Sequence, residues 1–480
     1  MDIKEMMENA LTNEQRPKLS RREALKLMGI SPIAAGVLAS AGSGAATQAH
    51  ASDAKGKIVI VGGGAGGIMA MARLHRALSN PDITLIAPNE KHLYQPGQVF
   101  MAAGEYTYDD IVKDNKDFIP DDVKWIKDEV KTFDPDNNKV ITRGGEEVSY
   151  DYLVVATGLQ YHYEWIEGLS ADMIGKNGIS SVYLNDPEKG TADGGSITWE
   201  WFNDLKAAAK EGNPKVICTQ PNTPIKCGGA PQKILYLSDD FLKKDGLSAD
   251  FTFATSGGSL FGVPEVNKTL VEEVQPRYGN ITNKFGHNLV AIDADKKVAT
   301  FVHAYEIQGE YDEDLEEYDI ISKVDRVEMP YDFIHIVPPM SAPDAVANSP
   351  LGWQKGSAKG WLEVDRYSLQ HLRYPNVFGI GDVCGIPLGK TGGSARHHGP
   401  ILVANLLAQM EGKELKEKFD GYTVCPLKTQ YGKIILAEFN YDGAAPSFPL
   451  AVGEQRWIWW AFDLYMLKPM YWYLMMRGLM

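Results

Sequence analysis

The apolar positions of this chain fall into short β-branched runs separated by helical stretches. Lys57-Ile58-Val59-Ile60-Val61 is a five-residue run of the kind found in a buried parallel strand. A helical pattern from Ile68 to about Leu78 follows, then a second run, Ile83-Thr84-Leu85-Ile86. Tyr152-Leu153-Val154-Val155, Lys215-Val216-Ile217-Cys218 and Asn376-Val377-Phe378-Gly379-Ile380 repeat the signature, and a helix is predicted to begin within Gly228–Lys233 and run to about Lys244. Strands alternating with helices predict an α/β fold around parallel sheets. No run of eighteen apolar residues occurs, so no membrane-spanning helix is expected.

The turn after the first strand reads Gly62-Gly63-Gly64-Ala65-Gly66-Gly67. Gly62, Gly64 and Gly67 match G-x-G-x-x-G between a strand and a helix, the setting in which backbone N–H groups at a helix start receive a pyrophosphate. The first glycine makes the turn, the second admits the phosphates, and the third lets helix and strand approach. The second strand departs from this pattern. It ends on Ala87, with Asn89 and Glu90 beyond, where an acid is expected for the ribose, so ribose recognition falls to neighbours.

The first 51 residues read as an address. Arg21-Arg22, a weakly apolar stretch from Met28 to Ala41 and Ala49-His50-Ala51 make an export signal that resembles the twin-arginine type. That signal predicts a folded, cofactor-loaded protein on the periplasmic face of a bacterial inner membrane. The 480-residue chain has 48 Lys+Arg against 63 Asp+Glu, a formal charge of −15, which argues against nucleic acid. Four cysteines are too few for a disulfide scaffold but enough for a small catalytic set. The acidic stretch Glu310 to Asp319 is read as a solvated flap, and no metal-ligand spacing is present.

Two of the cysteines draw chemistry. Cys227 precedes Gly228-Gly229-Ala230-Pro231-Gln232-Lys233 at the predicted helix start, where the dipole and Lys226 and Lys233 would favour a thiolate. Cys425 sits in Asp420-Gly421-Tyr422-Thr423-Val424-Cys425-Pro426-Leu427, 198 residues on, and spacing alone does not say that the two meet. Cys218 reads as a buried strand residue, and Cys384 as a weaker rival.

Two larger resemblances organise these motifs. The glycine loop, Tyr152 to Gly158 ending in Ala156-Thr157-Gly158, and Asn376 to Asp382 ending in Gly381-Asp382 resemble the FAD-binding elements of flavoprotein reductases with two dinucleotide-binding domains. The resemblance implies two Rossmann-like domains, with Asp382 on the ribityl chain and Lys390-Thr391-Gly392-Gly393 against the flavin ring. It adds Gln95, Val130, Thr157 and Gly158 to Gly62, Gly64, Ala65, Gly66 and Gly67 as cofactor contacts. The implied division is residues 55–174 with 351–415 for FAD, 175–350 for the second domain, and 416–480 for the second cysteine and the membrane. The turn after Cys218 runs Thr219-Gln220-Pro221-Asn222-Thr223-Pro224-Ile225-Lys226-Cys227, without a glycine fingerprint, which disfavours a nicotinamide donor.

Ile225 to Ser238, Asp420 to Phe439, Lys91-His92-Leu93-Tyr94-Gln95-Pro96 and Lys468-Pro469-Met470-Tyr471-Trp472 resemble segments of the sulfide:quinone oxidoreductases, in the branch that includes the mitochondrial enzyme. This resemblance implies a Cys227–Cys425 disulfide opened by sulfide, a persulfide on Cys425, electrons reaching FAD and then a membrane quinone, and a sulfur acceptor such as sulfide, a thiol or sulfite. It also implies Glu164 as an acid near the sulfide channel and Lys468 near the quinone. No cysteine precedes Cys218, so FAD is expected to be non-covalent. His397 and His398 are further candidate bases.

Four of the ten tryptophans fall between Trp457 and Trp472. Pro469 splits this aromatic end into two pieces too short to span a bilayer, so two amphipathic helices lying on the lipid surface are expected. The reading is an FAD-dependent sulfide:quinone oxidoreductase, monotopic and compatible with a homo-oligomer of unspecified order. A flavocytochrome sulfide dehydrogenase subunit, a type II NADH dehydrogenase and a non-catalytic flavin- or quinone-binding protein are the alternatives. The aromatic tail argues against the first, and the missing second fingerprint against the second.

Overall fold

The structure, a computed structural model, describes residues 51–185, 194–312 and 317–480. Residues 1–50 of the expected export signal, and the middle of the acidic stretch, lie outside the described residues. Five parallel strands form the first sheet, in the order Val377–Gly379, Tyr152–Val155, Lys57–Val61, Asp82–Ile86, Lys124–Ile126. Covered on both faces, such a sheet needs continuous apolar strands, and Ile58, Val59 and Ile60 are fully buried.

The central strand turns directly into the helix Ala65–Ala77. Gly62 has φ +116°, and a Cβ there would stand 2.3 Å from the Ala156 carbonyl oxygen. A Cβ at Gly67 would stand 1.8 Å from the Gly62 oxygen, so the third glycine is required for helix and turn to touch. Asn115 and Asn89 donate from Nδ2 to the Gly63 carbonyl at 3.2 and 3.3 Å, fixing the turn from the side.

A second parallel sheet runs Ile179–Ser180, Phe333–His335, Lys215–Gln220, Asp250–Thr255, Ile281–Lys284. Its strand Lys215–Gln220 leads through a loop into the helix Ala230–Lys243, with Pro231 in the first turn. Strands His287–Asp293, Val298–Asp312 and Glu317–Pro330 form an antiparallel sheet beside it. A further antiparallel pair, Thr423–Gln430 with Lys433–Asn440, carries Cys425. Side chains alternate across a strand. Val424, Pro426 and Lys428 therefore face a cavity, while Cys425 and Leu427 face Gly229 before the helix Ala230–Lys243.

The tail differs from the two separate pieces expected. Helical turns run through Trp457–Phe462, a wide turn at Asp463–Leu467 and Lys468–Tyr473 without a break at Pro469. Proline lacks an N–H and crowds the carbonyl four residues back, and the widened turn just before it relieves both conflicts. Most of the tail's aromatic surface is covered by the protein itself. Trp459, Trp460 and Trp472 are buried, with Trp460 edge-on to Phe100 at 5.2 Å and Trp472 stacked on Phe118 at 5.6 Å. Tyr473 and Leu479 are exposed, and Tyr465, Met466 and Leu467 half-buried. Among the described residues, no helix is long and apolar enough to cross a membrane.

Candidate active site

A cavity of about 1180 Å³ begins at Gly62–Gly66, passes Thr157, Gly158, Asp382 and Lys390–Gly393, reaches Cys227, and ends against Phe462, Leu467, Met470 and Tyr471. It thus gathers on one wall segments that lie more than three hundred residues apart. Gln95 and Val130 line it as well, while Gly67 sits behind the turn it closes.

The lining fits FAD. Thr157 Oγ1, Tyr183 OH and Asn185 Oδ1 are buried polar atoms on this wall without a hydrogen-bond partner, a state that native proteins rarely leave unfilled. Asp382 is half-buried, and desolvation of its carboxyl raises the pKa against the opposing fields of Lys226 and Lys390. Lys390 Nζ donates to the carbonyls of Asp382 and Cys384 at 2.6 and 2.9 Å, and burial lowers its pKa to about 8. Thr391 caps the helix Gly392–Met410 by accepting from Ser394 N at 3.1 Å. Gly393 is forced, since a Cβ there would meet Val424 Cγ1 at 2.2 Å. Lys226 donates to Gln95 Oε1 and to the Tyr161 hydroxyl, and burial lowers its pKa to about 8.

The strand order brings the two distant cysteines together. Cys227 Sγ and Cys425 Sγ are 3.3 Å apart, and Lys233 Nζ lies 3.2 Å from Cys227 Sγ. Lys233 stands at the end of the first turn of the helix Ala230–Lys243, so its side chain reaches back toward the helix start and the thiol. The hydrogen bond from Cys425 and the Lys233 ammonium hold the Cys227 thiol well below the ordinary thiol range, and Cys425 rises correspondingly. Cys227 itself is held at φ +51°, a left-handed conformation that a cysteine adopts at a cost of order 1 kcal/mol. Its N–H donates to the Lys390 carbonyl at 2.9 Å, which ties the thiol to the flavin-side loop. A Cβ on Gly229 would stand 2.8 Å from Cys425 Sγ, so the glycine lets the second sulfur approach. Burial pushes Cys384 up to about 12 and raises Cys218 further, which leaves both as inert thiols.

Other candidates fall elsewhere. Glu164 is exposed and pairs with His162 Nδ1 at 2.6 Å, outside the cavity lining. Lys468 Nζ bonds Asp110 Oδ1 at 2.6 Å and lies over the Tyr106 ring, also outside the lining. His397 stacks on Tyr422, and His398 Nδ1 accepts from Gly381 N at 3.1 Å. Burial lowers their pKa values to about 4 and about 3, so both are neutral at physiological pH. The sequence reading missed Tyr183 and the buried pair Lys428–Asp463, whose atoms meet at 2.6 Å on the cavity wall. The alternation of Val424, Pro426 and Lys428 along a strand was the available signal for that lysine.

Known proteins place this site in a family. Residues 56–188 match the family described as pyridine nucleotide-disulphide oxidoreductase. The mitochondrial sulfide:quinone oxidoreductase of Dictyostelium discoideum is 39% identical over 427 residues, which cover 88% of this chain and 86% of that one. The mitochondrial sulfide:quinone oxidoreductase of Mus musculus is 35% identical over the same shares. The solved structure of the sulfide:quinone oxidoreductase of Aquifex aeolicus superposes with a TM-score of 0.66, covering 88% of this chain and 92% of that chain, and its 22% identity makes it evidence of a common mixed α/β fold. With identity of this extent running through nearly its whole described length, the chain belongs to the sulfide:quinone oxidoreductase family.

Proposed function

We propose that this chain oxidises sulfide at Cys227 and Cys425 and delivers the electrons to a quinone through FAD. The observation that carries the reading is the 3.3 Å sulfur pair, with Lys233 at 3.2 Å, on a cavity that begins at a dinucleotide-binding turn. In the oxidised state the two sulfurs form a disulfide. Hydrosulfide attacks the Cys425 sulfur, the S–S bond breaks, and Cys227 leaves as a thiolate beside the Lys233 ammonium. A low-pKa thiol is the better leaving group, which assigns the leaving role to Cys227 and the persulfide to Cys425. A second nucleophile, either sulfide, a thiol or sulfite, removes the outer sulfur and leaves two thiolates. Bound FAD supplies the two-electron acceptor that lets these thiolates close the disulfide again, and the donor for the quinone.

The chain's own residues would hold the cofactor without a covalent bond. The N–H groups at Gly64–Gly66 face its phosphates, Asp382 its ribityl hydroxyls, and Lys390–Gly393 its ring. In this reading residues 55–174 with 351–415 form the FAD domain, 175–350 the second domain, and 416–480 the quinone end. Phe462, Leu467, Met470 and Tyr471 offer the quinone an apolar wall. Tyr473 and Leu479, with half-buried Tyr465 and Met466, would set this end on a lipid surface. The Arg21-Arg22 signal supports a periplasmic-face location.

The test is an anaerobic titration of the purified, FAD-loaded protein with sulfide and then decylubiquinone. Sulfide is expected to bleach the flavin band and decylubiquinone to restore it, whereas Cys227→Ser is expected to stay oxidised. A wild-type flavin that stays oxidised under excess sulfide would overturn the reading.

A further inference from the structure

The cavity wall carries one buried ion pair to which the sulfide half of the reaction assigns no step. Lys428 Nζ donates to Asp463 Oδ2 at 2.6 Å, with each side chain only 3% exposed. A buried pair of this kind is often no more stable than two apolar side chains of the same size, so stability alone gives weak grounds for keeping it. Its position offers another reason. Lys428 lies on the cavity face of the strand Thr423–Gln430, three residues from Cys425 but on the opposite face. Asp463 opens the wide turn of the tail, next to Phe462 and four residues before Leu467. The ammonium also lies 4.2 Å over the Phe100 ring. The pair therefore stands where the strand bearing the cysteine meets the apolar wall proposed for the quinone.

The neighbouring donors are committed elsewhere. Lys233 is held on Cys227, and Lys468 is held by Asp110 outside the cavity lining. Asn115 Nδ2 donates to two carbonyls, so its Oδ1 must accept from His92 Nδ1–H at 2.8 Å. His92 Nε2 is then the acceptor for the Tyr471 hydroxyl at 2.6 Å, which points that proton away from a cavity ligand.

We propose that Lys428 is the proton donor to the quinone, with Asp463 holding its ammonium charged and aimed. This rests on the quinone reading above. Reduction to the quinol takes two electrons, which the reduced flavin of that reaction supplies, and two protons. At one quinone oxygen the Lys428 N–H bond breaks as the O–H bond forms. The amine regains its proton from water, and the other oxygen takes its proton from water. Burial lowers the pKa of Lys428 against the opposing field of Asp463, which makes the ammonium a stronger acid than an exposed lysine. The groups facing it are Asp463 from the tail and Lys233 and Cys227 from the helix Ala230–Lys243 and its approach, while the Tyr94 phenol faces Asp463.

The experiment separates the two half-reactions by stopped flow on FAD-loaded protein. In Lys428→Met, sulfide is expected to reduce the flavin within about threefold of the wild-type rate, while reoxidation by decylubiquinone slows about 100-fold, the lower end for loss of a general acid. Lys428→Arg keeps the charge and the ion pair but cannot release a proton near neutral pH, so its reoxidation stays slow. Asp463→Asn removes the field that raises the lysine, so the alkaline fall of the reoxidation rate moves to lower pH. The double variant Lys428→Met with Asp463→Leu replaces the pair by apolar groups, and slow reoxidation is expected there too, guarding against a folding defect from one stranded charge. Wild-type reoxidation in Lys428→Arg or in the double variant, or an unmoved alkaline limb in Asp463→Asn, would overturn the proposal. Failure of sulfide to reduce the wild-type flavin would instead sink the underlying function.

Discussion

Replacing Lys233 by Met should raise the Cys227 pKa and slow the opening of the disulfide. The ammonium stands 3.2 Å from the sulfur and is almost fully buried. At an effective dielectric constant near 20, two unit charges at that distance attract by about 5 kcal/mol, which is a ceiling because burying the ammonium offsets part of it. Opposite charges this close shift a pKa by about 1–3 units, so the Cys227 thiol is expected to rise by about 2 units. With a Brønsted sensitivity of about 0.4–0.5, a leaving thiol weakened by that much departs about tenfold more slowly. The reduced protein is treated with iodoacetamide across a pH series, and alkylation of the Cys227 peptide is followed by mass spectrometry. The midpoint should move up by about 2 units in Lys233→Met and stay near the wild-type value in Lys233→Arg. Stopped-flow reduction by sulfide should slow about tenfold. An unchanged alkylation midpoint in Lys233→Met would refute the assignment of the thiolate to this contact.

Other consequences follow from the same geometry. Gly67→Ala puts a Cβ 1.8 Å from the Gly62 oxygen, and the purified variant is expected to lose most of its FAD, read as the ratio of flavin to protein absorbance. Burial holds His92 at about 4 and His335 and His398 at about 3, below the ordinary value near 6.5. The unfolded chain binds protons at these groups as pH falls below about 6.5 while the folded chain does not, so stability is intact above that pH and is lost on acidification. By pH 5 each depressed histidine removes about 2 kcal/mol. Thermal melts should therefore fall steeply between pH 6.5 and 5, with uptake of one proton per histidine on unfolding, and a flat profile would count against the burial. Tyr473→Ser combined with Leu479→Ser removes two exposed apolar side chains, each worth about 1.5–3 kcal/mol when buried, and should weaken cosedimentation with lipid vesicles about tenfold or more. Equal sedimentation would remove the lipid-surface reading of the tail.

The parts of the site that sequence revealed are those whose constraint is local. Gly62 and Gly67 are dictated by one turn, where a side chain would strike a carbonyl within the same strand–turn–helix unit or its neighbouring strand, so the pattern survives reading in one dimension. The start of the helix Ala230–Lys243 was equally local, set by Gly229 and Pro231. The meeting of Cys227 with Cys425 is not local. It depends on how the strand Thr423–Gln430 crosses the helix, and only resemblance to a family pointed to it beforehand. Lys428 and Asp463 show the same limit more sharply, because a lysine alternating along a strand and an aspartate interrupting an aromatic run each look like solvent-facing residues until the two elements are packed. The packing and continuity of the tail were hidden for a related reason. Its tryptophans suggested a surface, yet Phe100 and Phe118 cover two of them, and the wide turn at Asp463–Leu467 carries the helix past Pro469. Glu164 and Lys468 likewise found partners in His162 and Asp110 that no spacing announced.

The most direct measurement follows the sulfur itself. Oxidised protein is given one equivalent of sulfide without air, the free thiols are blocked, and the cysteine peptides are weighed by mass spectrometry. The Cys425 peptide is expected to gain one sulfur atom and the Cys227 peptide only the blocking group, whereas Cys425→Ser should show added sulfur on no cysteine and Cys227 blocked as a free thiol. Extra sulfur on Cys227, on Cys384, or on no cysteine of a protein whose flavin is nonetheless reduced would contradict the assignment of Cys425 as the residue that takes the sulfur.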